Sequence, residues 1–226
     1  MIFIGVTGKS GSGKTLFGDM LAQDDRVDVI HVDAEWEKAK SKYFSWFTKK
    51  MPKGDNTKIK TSSSMDKFIF TNKFVFGMVE RIRARMAKKF IDQKIEEFEK
   101  AGKEIIVIDD AYLKYVAKYY QPFDRIYLLK RKLELREEGK KQRDGSSNNI
   151  NDMAHNKGTY EEYSDEEVDV VINNGTKEEL AQKAKKVIND LLRNSFLDEI
   201  KEKTPDIHHI IPKETQLPEN SKDFYI

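Results

Sequence analysis

Short, almost wholly apolar runs alternate with longer stretches of helical period along this 226-residue chain. The runs lie at 2–6 (IFIGV), 27–32 (VDVIHV), 104–109 (EIIVID), 125–129 (RIYLL) and 168–172 (VDVVI). Their length and apolar centres predict five strands buried on both faces. Between them, Val79, Ile82, Met86, Phe90, Ile95 and Phe98 recur at helical spacing among Lys, Arg and Glu, which predicts an amphipathic helix ended by Ala101 and Gly102. A second helix is predicted over 177–193, with Leu180, Ala184, Val187, Ile188 and Leu191 on one face. Thr176 and Glu179 stand three apart as its capping box. Alternating strand and helix predict an α/β domain with a mostly parallel sheet between two helical layers.

Other segments lack this pattern. Residues 49–64 are rich in Lys, Ser and Thr and read as an exposed loop, and 144–158 are rich in Asn, Ser and Asp. The tail after Phe196 has no clear period and is expected to be irregular. The aromatic cluster Trp36, Tyr43, Phe44, Trp46 and Phe47 predicts core of a helical insertion spanning about 35–100, with an acceptor-lining role as the alternative. The main α/β domain is expected over 1–193, with a lid near 131–160 and an extension over 194–226.

Charge changes this picture little. Lys and Arg (41) nearly balance Asp and Glu (39), so nothing argues for a nucleic-acid or membrane partner. The chain has no Cys, which excludes disulfides, thiolate metal sites and cysteine nucleophiles. Its first apolar run is too short for a secretory leader, and no stretch reaches the roughly 20 residues of a membrane span. A soluble, cytoplasmic protein is the expectation.

The chemistry is concentrated at the carboxyl ends of the predicted strands. Between the first strand and a helix, residues 8–15 read GKSGSGKT, which fits the G-x-x-x-x-G-K-[ST] phosphate loop. Such a loop points successive backbone N–H groups and a helix N-terminus at phosphate oxygens. Gly8, Ser10, Gly11, Ser12, Gly13, Lys14, Thr15 and Leu16 are therefore candidate ATP-binding residues, with Lys14 reaching the terminal phosphates. Asp109 closes an apolar strand in the manner of a Walker-B carboxylate, so Thr15 and Asp109 are the candidate Mg²⁺ residues. Asp110 is a candidate for the same role or for a helix cap. Asp33 ends the second strand, where a carboxylate can orient or deprotonate an attacking hydroxyl. Arg143, beside Asp144 and Gly145 after a basic helix, is the candidate lid arginine, with Arg131 and Arg136 on the same helix. His31, His155, His208 and His209 have no metal-ligand spacing.

These elements together resemble the dephospho-CoA kinase family. The resemblance rests on the loop at 4–15, on VIHVD at 29–33, on EFEKAGKEIIVID at 97–109, on FDRIYL at 123–128, on RDG at 143–145 and on VINNGTKEEL at 171–180. It covers about residues 1–193 in order. The family's presumed base falls on Asp33, with His31 in place of the aspartate two positions before it. The resemblance implies a three-layer P-loop kinase fold with a five-stranded sheet, helical insertion and lid. It implies transfer of phosphate from ATP, with Mg²⁺, to the ribose 3′-hydroxyl of dephospho-CoA, giving CoA and ADP. Lys14, Asp33 and Arg143 would be catalytic, and Asn174 would join the nucleotide-binding set. Two alternatives stand beside it: a nucleoside or nucleoside-monophosphate kinase, and an ATP-binding regulatory protein without transferase activity.

Overall fold

The computed structural model describes residues 1–35, 71–120, 122–144 and 162–203; side chains are described as far as 193, with those of 86, 115, 116, 143 and 144 left aside. The aromatic cluster at 36–47, the loop at 49–64 and most of the segment at 144–158 lie outside the described residues, as do His155, His208 and His209.

All five predicted strands are present: β1 (Ile2–Thr7), β2 (Val27–His31), β3 (Ile105–Asp109), β4 (Arg125–Lys130) and β5 (Asp169–Ile172). They form one sheet in the order β2-β3-β1-β4-β5. Every pairing is parallel, so the sheet is more regular than the mostly parallel one expected. The helices are α1 (Lys14–Leu21), α2 (Lys73–Lys100), α3 (Leu113–Val116), α4 (Leu133–Asp144) and α5 (Lys177–Lys203), with a 3₁₀ turn over Ala117–Tyr119.

Strand alternation divides the core into two layers. Ile4, Val6, Ile105, Val107 and Leu129 face α1 and α5, where they meet Phe17, Leu180, Ala184 and Leu191. Ile106 and Ile108 face the other way, onto Ala84, Ile91, Ile95 and Leu113. Each fully buried aliphatic side chain contributes about 1.5–3 kcal/mol relative to exposure.

The helix boundaries follow local chemistry. Asn72 caps α2 by accepting from the backbone N–H groups of Phe74 and Val75. At its other end Gly102, with φ of 73°, lets the Lys103 N–H turn back onto the Phe98 carbonyl. The predicted capping box of α5 is formed: Glu179 N–H donates to Thr176 Oγ1 and Thr176 N–H to Glu179 Oε2, each at 3.2 Å. That helix runs on to Lys203, so the expectation of an irregular chain directly after Phe196 is corrected. The stretch at 194–203 carries Leu197, two Glu and two Lys, all good helix formers, and no Gly or Pro stop.

The buried line of α2 also differs from the expected stripe. Phe76, Ala84, Ile91 and Ile95 are buried, but so are Glu80 and Arg83, whereas Ile82 is exposed. Two charged residues occupy the inward face because they pair with each other there.

Candidate active site

The strand order brings the carboxyl ends of β1, β3 and β2 side by side. In register, Val6 of β1 and His31 of β2 both lie against Asp109 of β3. The loop at 8–15 leaves β1, Asp109 and Asp110 end β3, and Asp33 follows β2 in a helical turn over 32–35. Ligands of open α/β sheets bind at this edge.

The loop requires its glycines. Gly8 has φ of 138° and a Cβ there would lie 2.4 Å from the Leu129 carbonyl oxygen. Gly13, the residue before α1, has φ of 97° and its Cβ would lie 2.4 Å from Asn173 Nδ2. The second approach reflects a real bond, because Asn173 Nδ2 donates to the Ser12 carbonyl at 2.8 Å. Asn173 is itself anchored through its N–H on the Lys130 carbonyl at 2.7 Å. On the opposite flank, Arg136 of α4 donates Nε–H to the Ser10 carbonyl at 2.9 Å. The loop is thus held from the end of β5 and from α4.

Ser12 Oγ is buried with no hydrogen-bond partner among the described residues. An orphaned hydroxyl inside a backbone cradle suits a phosphate oxygen as acceptor. Thr15 Oγ1 donates to Asp109 Oδ2 at 3.0 Å, the hydroxyl–carboxylate pair expected beside a nucleotide-bound Mg²⁺. Among the described residues no three His, Asp or Glu side chains gather as a metal cage. That agrees with Mg²⁺ chemistry, which takes one or two protein groups and completes its shell with water and phosphate. The donor set therefore fits ATP with Mg²⁺.

His31 adds a contact the sequence did not signal. Its Nδ1 lies 2.9 Å from Asp109 Oδ2 and its Nε2 3.0 Å from Asp19 Oδ1. The bond to Asp109 and then the charge of Asp19 raise the imidazole above its ordinary value, against the opposing effect of burial.

Beyond the phosphate loop lies a buried cluster of charge. Arg83 of α2 donates Nε–H to Glu80 at 2.7 Å, Nη2–H to Asp110 at 2.8 Å and Nη1–H to Asp33 at 3.3 Å. Asp110 also accepts from Tyr112 N–H and from the Tyr120 hydroxyl, each at 2.9 Å. Asp110 is therefore occupied as a turn cap and an ion-pair partner, and Asp109 is the strand-end residue that meets Thr15. Burial drives Glu80 up to about 7, against the pull of Arg83. Burial opposes the Arg83 cation, but Asp110, Glu80 and Asp33 outweigh it and hold the guanidinium charged.

Asp33 is open: 61% of its side chain is exposed, although Arg83 reaches it. Desolvation and the Asp110 charge raise it to about 6, against Arg83 and Lys14.

The other predicted site residues have these positions. Leu16 is a partly exposed apolar residue in the first turn of α1. Asn174 accepts from Lys132 N–H at 2.8 Å, so its side chain latches β5 to the start of α4, while the loop contact belongs to its neighbour Asn173. Arg143 lies near the end of α4, with its side chain outside the described residues, and the rest of the predicted lid lies outside them too. Arg136, on the basic helix that leads to Arg143, is buried against the loop.

No protein-family model and no curated protein sequence matches this chain. Solved structures do. TT1252 from Thermus thermophilus superposes with a TM-score of 0.56 at 18% identity, over 84% of this chain and 97% of that one. A dephospho-CoA kinase from Campylobacter jejuni gives 0.47 at 18% identity over 85% and 98%. A shikimate kinase from Acinetobacter baumannii, in complex with shikimate, gives 0.48 at 13% identity over 86% and 94%. The likeness to TT1252 is one of fold: a parallel α/β sheet covered by helices. No helix among the described residues is long and apolar enough to cross a membrane.

Proposed function

We propose that the protein is an ATP-dependent kinase acting on a hydroxyl of a small molecule. The observation that carries this reading is the adjacency of two different groups of side chains at one sheet edge. Lys14 and Thr15, with Asp109, are equipped for the phosphates, and the open carboxylate of Asp33 is equipped for a hydroxyl. A phosphate loop alone is shared by many activities; an exposed carboxylate just after β2, at the same sheet edge, favours transfer to an alcohol.

In the proposed reaction the acceptor hydroxyl oxygen forms a bond to the γ-phosphorus, and the bond from that phosphorus to the bridging oxygen of ADP breaks. Asp33 orients the hydroxyl and accepts its proton. Lys14 and the loop N–H groups stabilise the charge on the transferring group. Mg²⁺, held by Thr15 and Asp109, supplies further neutralisation of phosphate charge when bound. Most of the rate enhancement is positioning and electrostatics. Arg143 is proposed as the lid arginine that closes on the nucleotide.

The acceptor favoured by the sequence resemblance is dephospho-CoA, phosphorylated at its ribose 3′-hydroxyl. Incubation with ATP·Mg²⁺ and a panel of dephospho-CoA, nucleosides and nucleoside monophosphates tests this. CoA and ADP as products support the first choice, and phosphorylation of another panel member reassigns the acceptor. ATP binding with no product from any acceptor contradicts transferase activity and favours a nucleotide-binding regulatory protein.

A further inference from the structure

Resting on that kinase reading, we infer that Arg83 is a positioning residue for the transfer step, fixing the Asp33 carboxylate at the acceptor end of the site. The three nitrogens of its guanidinium go to three carboxylates of unequal exposure. Glu80 and Asp110 are buried: Glu80 lies one turn away on the same helix, and Asp110 is further tied by Tyr112 and Tyr120. Tyr112 also lies alongside the guanidinium, 5.9 Å from ring centroid to Cζ, and packs edge-on against Phe76 at 5.1 Å. Two nitrogens thus anchor the fork, and the third reaches Asp33 on a separate element.

The arrangement exceeds what structure alone requires. The Glu80–Arg83–Asp110 set satisfies the buried guanidinium without Asp33, and replacing such buried ion clusters by apolar residues is often neutral or stabilising. The extra bond from Nη1 crosses to a carboxylate that is open to the site. Arginine suits this work because its planar fork transmits orientation, whereas a lysine would supply only a point charge. Three of its five N–H donors go to carboxylates, one of them Asp33, so Arg83 is disposed to aim that carboxylate. The charged groups acting on Asp33 are Arg83 from α2, Lys14 from α1, and Asp109 and Asp110 from the end of β3.

The test combines kinetics with a readout independent of turnover. In Arg83→Met, kcat should fall about a hundredfold, the usual scale for a displacement of about 1 Å at a reacting group. Acceptor KM and ATP affinity by calorimetry should stay within about threefold. Arg83→Lys should recover part of kcat, since charge returns without the fork. Carboxyl ¹³C NMR should show Asp33 titrating higher in Arg83→Met than in wild type. If Arg83→Met does not fold, Arg83→Lys and the double variant Arg83→Met/Glu80→Gln, which removes one stranded carboxylate, give the same readouts. An unchanged Asp33 titration with unchanged kcat in a folded variant overturns the inference. A rise in acceptor KM at constant kcat overturns it too, and makes Arg83 an acceptor-binding residue. If wild type transfers phosphate to no acceptor, the kinase reading fails while the titration still decides whether Arg83 governs Asp33.

Discussion

Replacing Gly13 by alanine perturbs the phosphate loop in two separable ways. The first is backbone strain: φ of 97° belongs to the left-handed region, which costs a residue with a Cβ about 1–2 kcal/mol. The second is steric. The new Cβ would lie 2.4 Å from Asn173 Nδ2, so the amide must move and release the Ser12 carbonyl. Leaving those buried groups unpaired costs about 1–3 kcal/mol. Together the expected loss is about 2–5 kcal/mol, a large part of the 5–15 kcal/mol typical of a folded domain. Asn173→Ala serves as the control, because it removes the bond but leaves the glycine, and should lose only about 1–3 kcal/mol. Urea unfolding with comparable m values measures both variants, and calorimetry with ATP·Mg²⁺ reports the loop. Gly13→Ala should bind ATP far more weakly than wild type under conditions where it is folded. A Gly13→Ala variant within about 0.5 kcal/mol of wild type, with undiminished ATP affinity, would refute the reasoning.

Further outcomes follow from the same geometry. Lys14→Ala should abolish turnover at unchanged thermal stability, checked by a coupled ADP assay and a melting curve. Turnover should fall as pH drops through about 6, where Asp33 takes up a proton; a kcat profile flat from about pH 5 to about pH 8 would exclude Asp33 as the proton acceptor. Glu80 sits at about 7 against an ordinary 4.5, so the unfolded chain sheds this proton first as pH rises. Its contribution to stability is complete below 4.5 and lost by about 7. Glu80→Gln should therefore shrink the fall in urea midpoint across that interval, and an unaltered fall would contradict the burial argument. Arg136→Met should weaken ATP binding by loosening the loop at Ser10, measured by calorimetry, without altering acceptor KM.

Much of this was legible in the sequence, and for identifiable reasons. Strands buried on both faces write themselves as unbroken apolar runs, so all five could be read directly. The loop at 8–15, the strand-end Asp109 and the Thr176–Glu179 capping box are local in sequence; the capping box formed as read, and Asp109 ends β3 within hydrogen-bond reach of Thr15. What escaped depends on long-range partners. Glu80 and Arg83 look like ordinary surface charges on a helix until Asp110 and Asp33 are brought to them from 27 and 50 residues away. Their burial also explains why the apolar stripe of α2 was placed slightly off its true face. Asn173 and Asn174 are alike in sequence, and only the register of β5 beside β4 decides which one reaches the loop. His31 carried no metal spacing, yet the β2–β3 pairing sets it on Asp109.

The most direct measurement is phosphoryl transfer from γ-labelled ATP·Mg²⁺ to the best acceptor of the panel, by wild type and by Asp33→Asn, with ATP affinity measured for both. The expected result is labelled product from wild type, none above background from Asp33→Asn, and equal ATP affinity in the two. Full transfer by Asp33→Asn, or no transfer by wild type to any acceptor, would contradict a hydroxyl kinase built on this carboxylate.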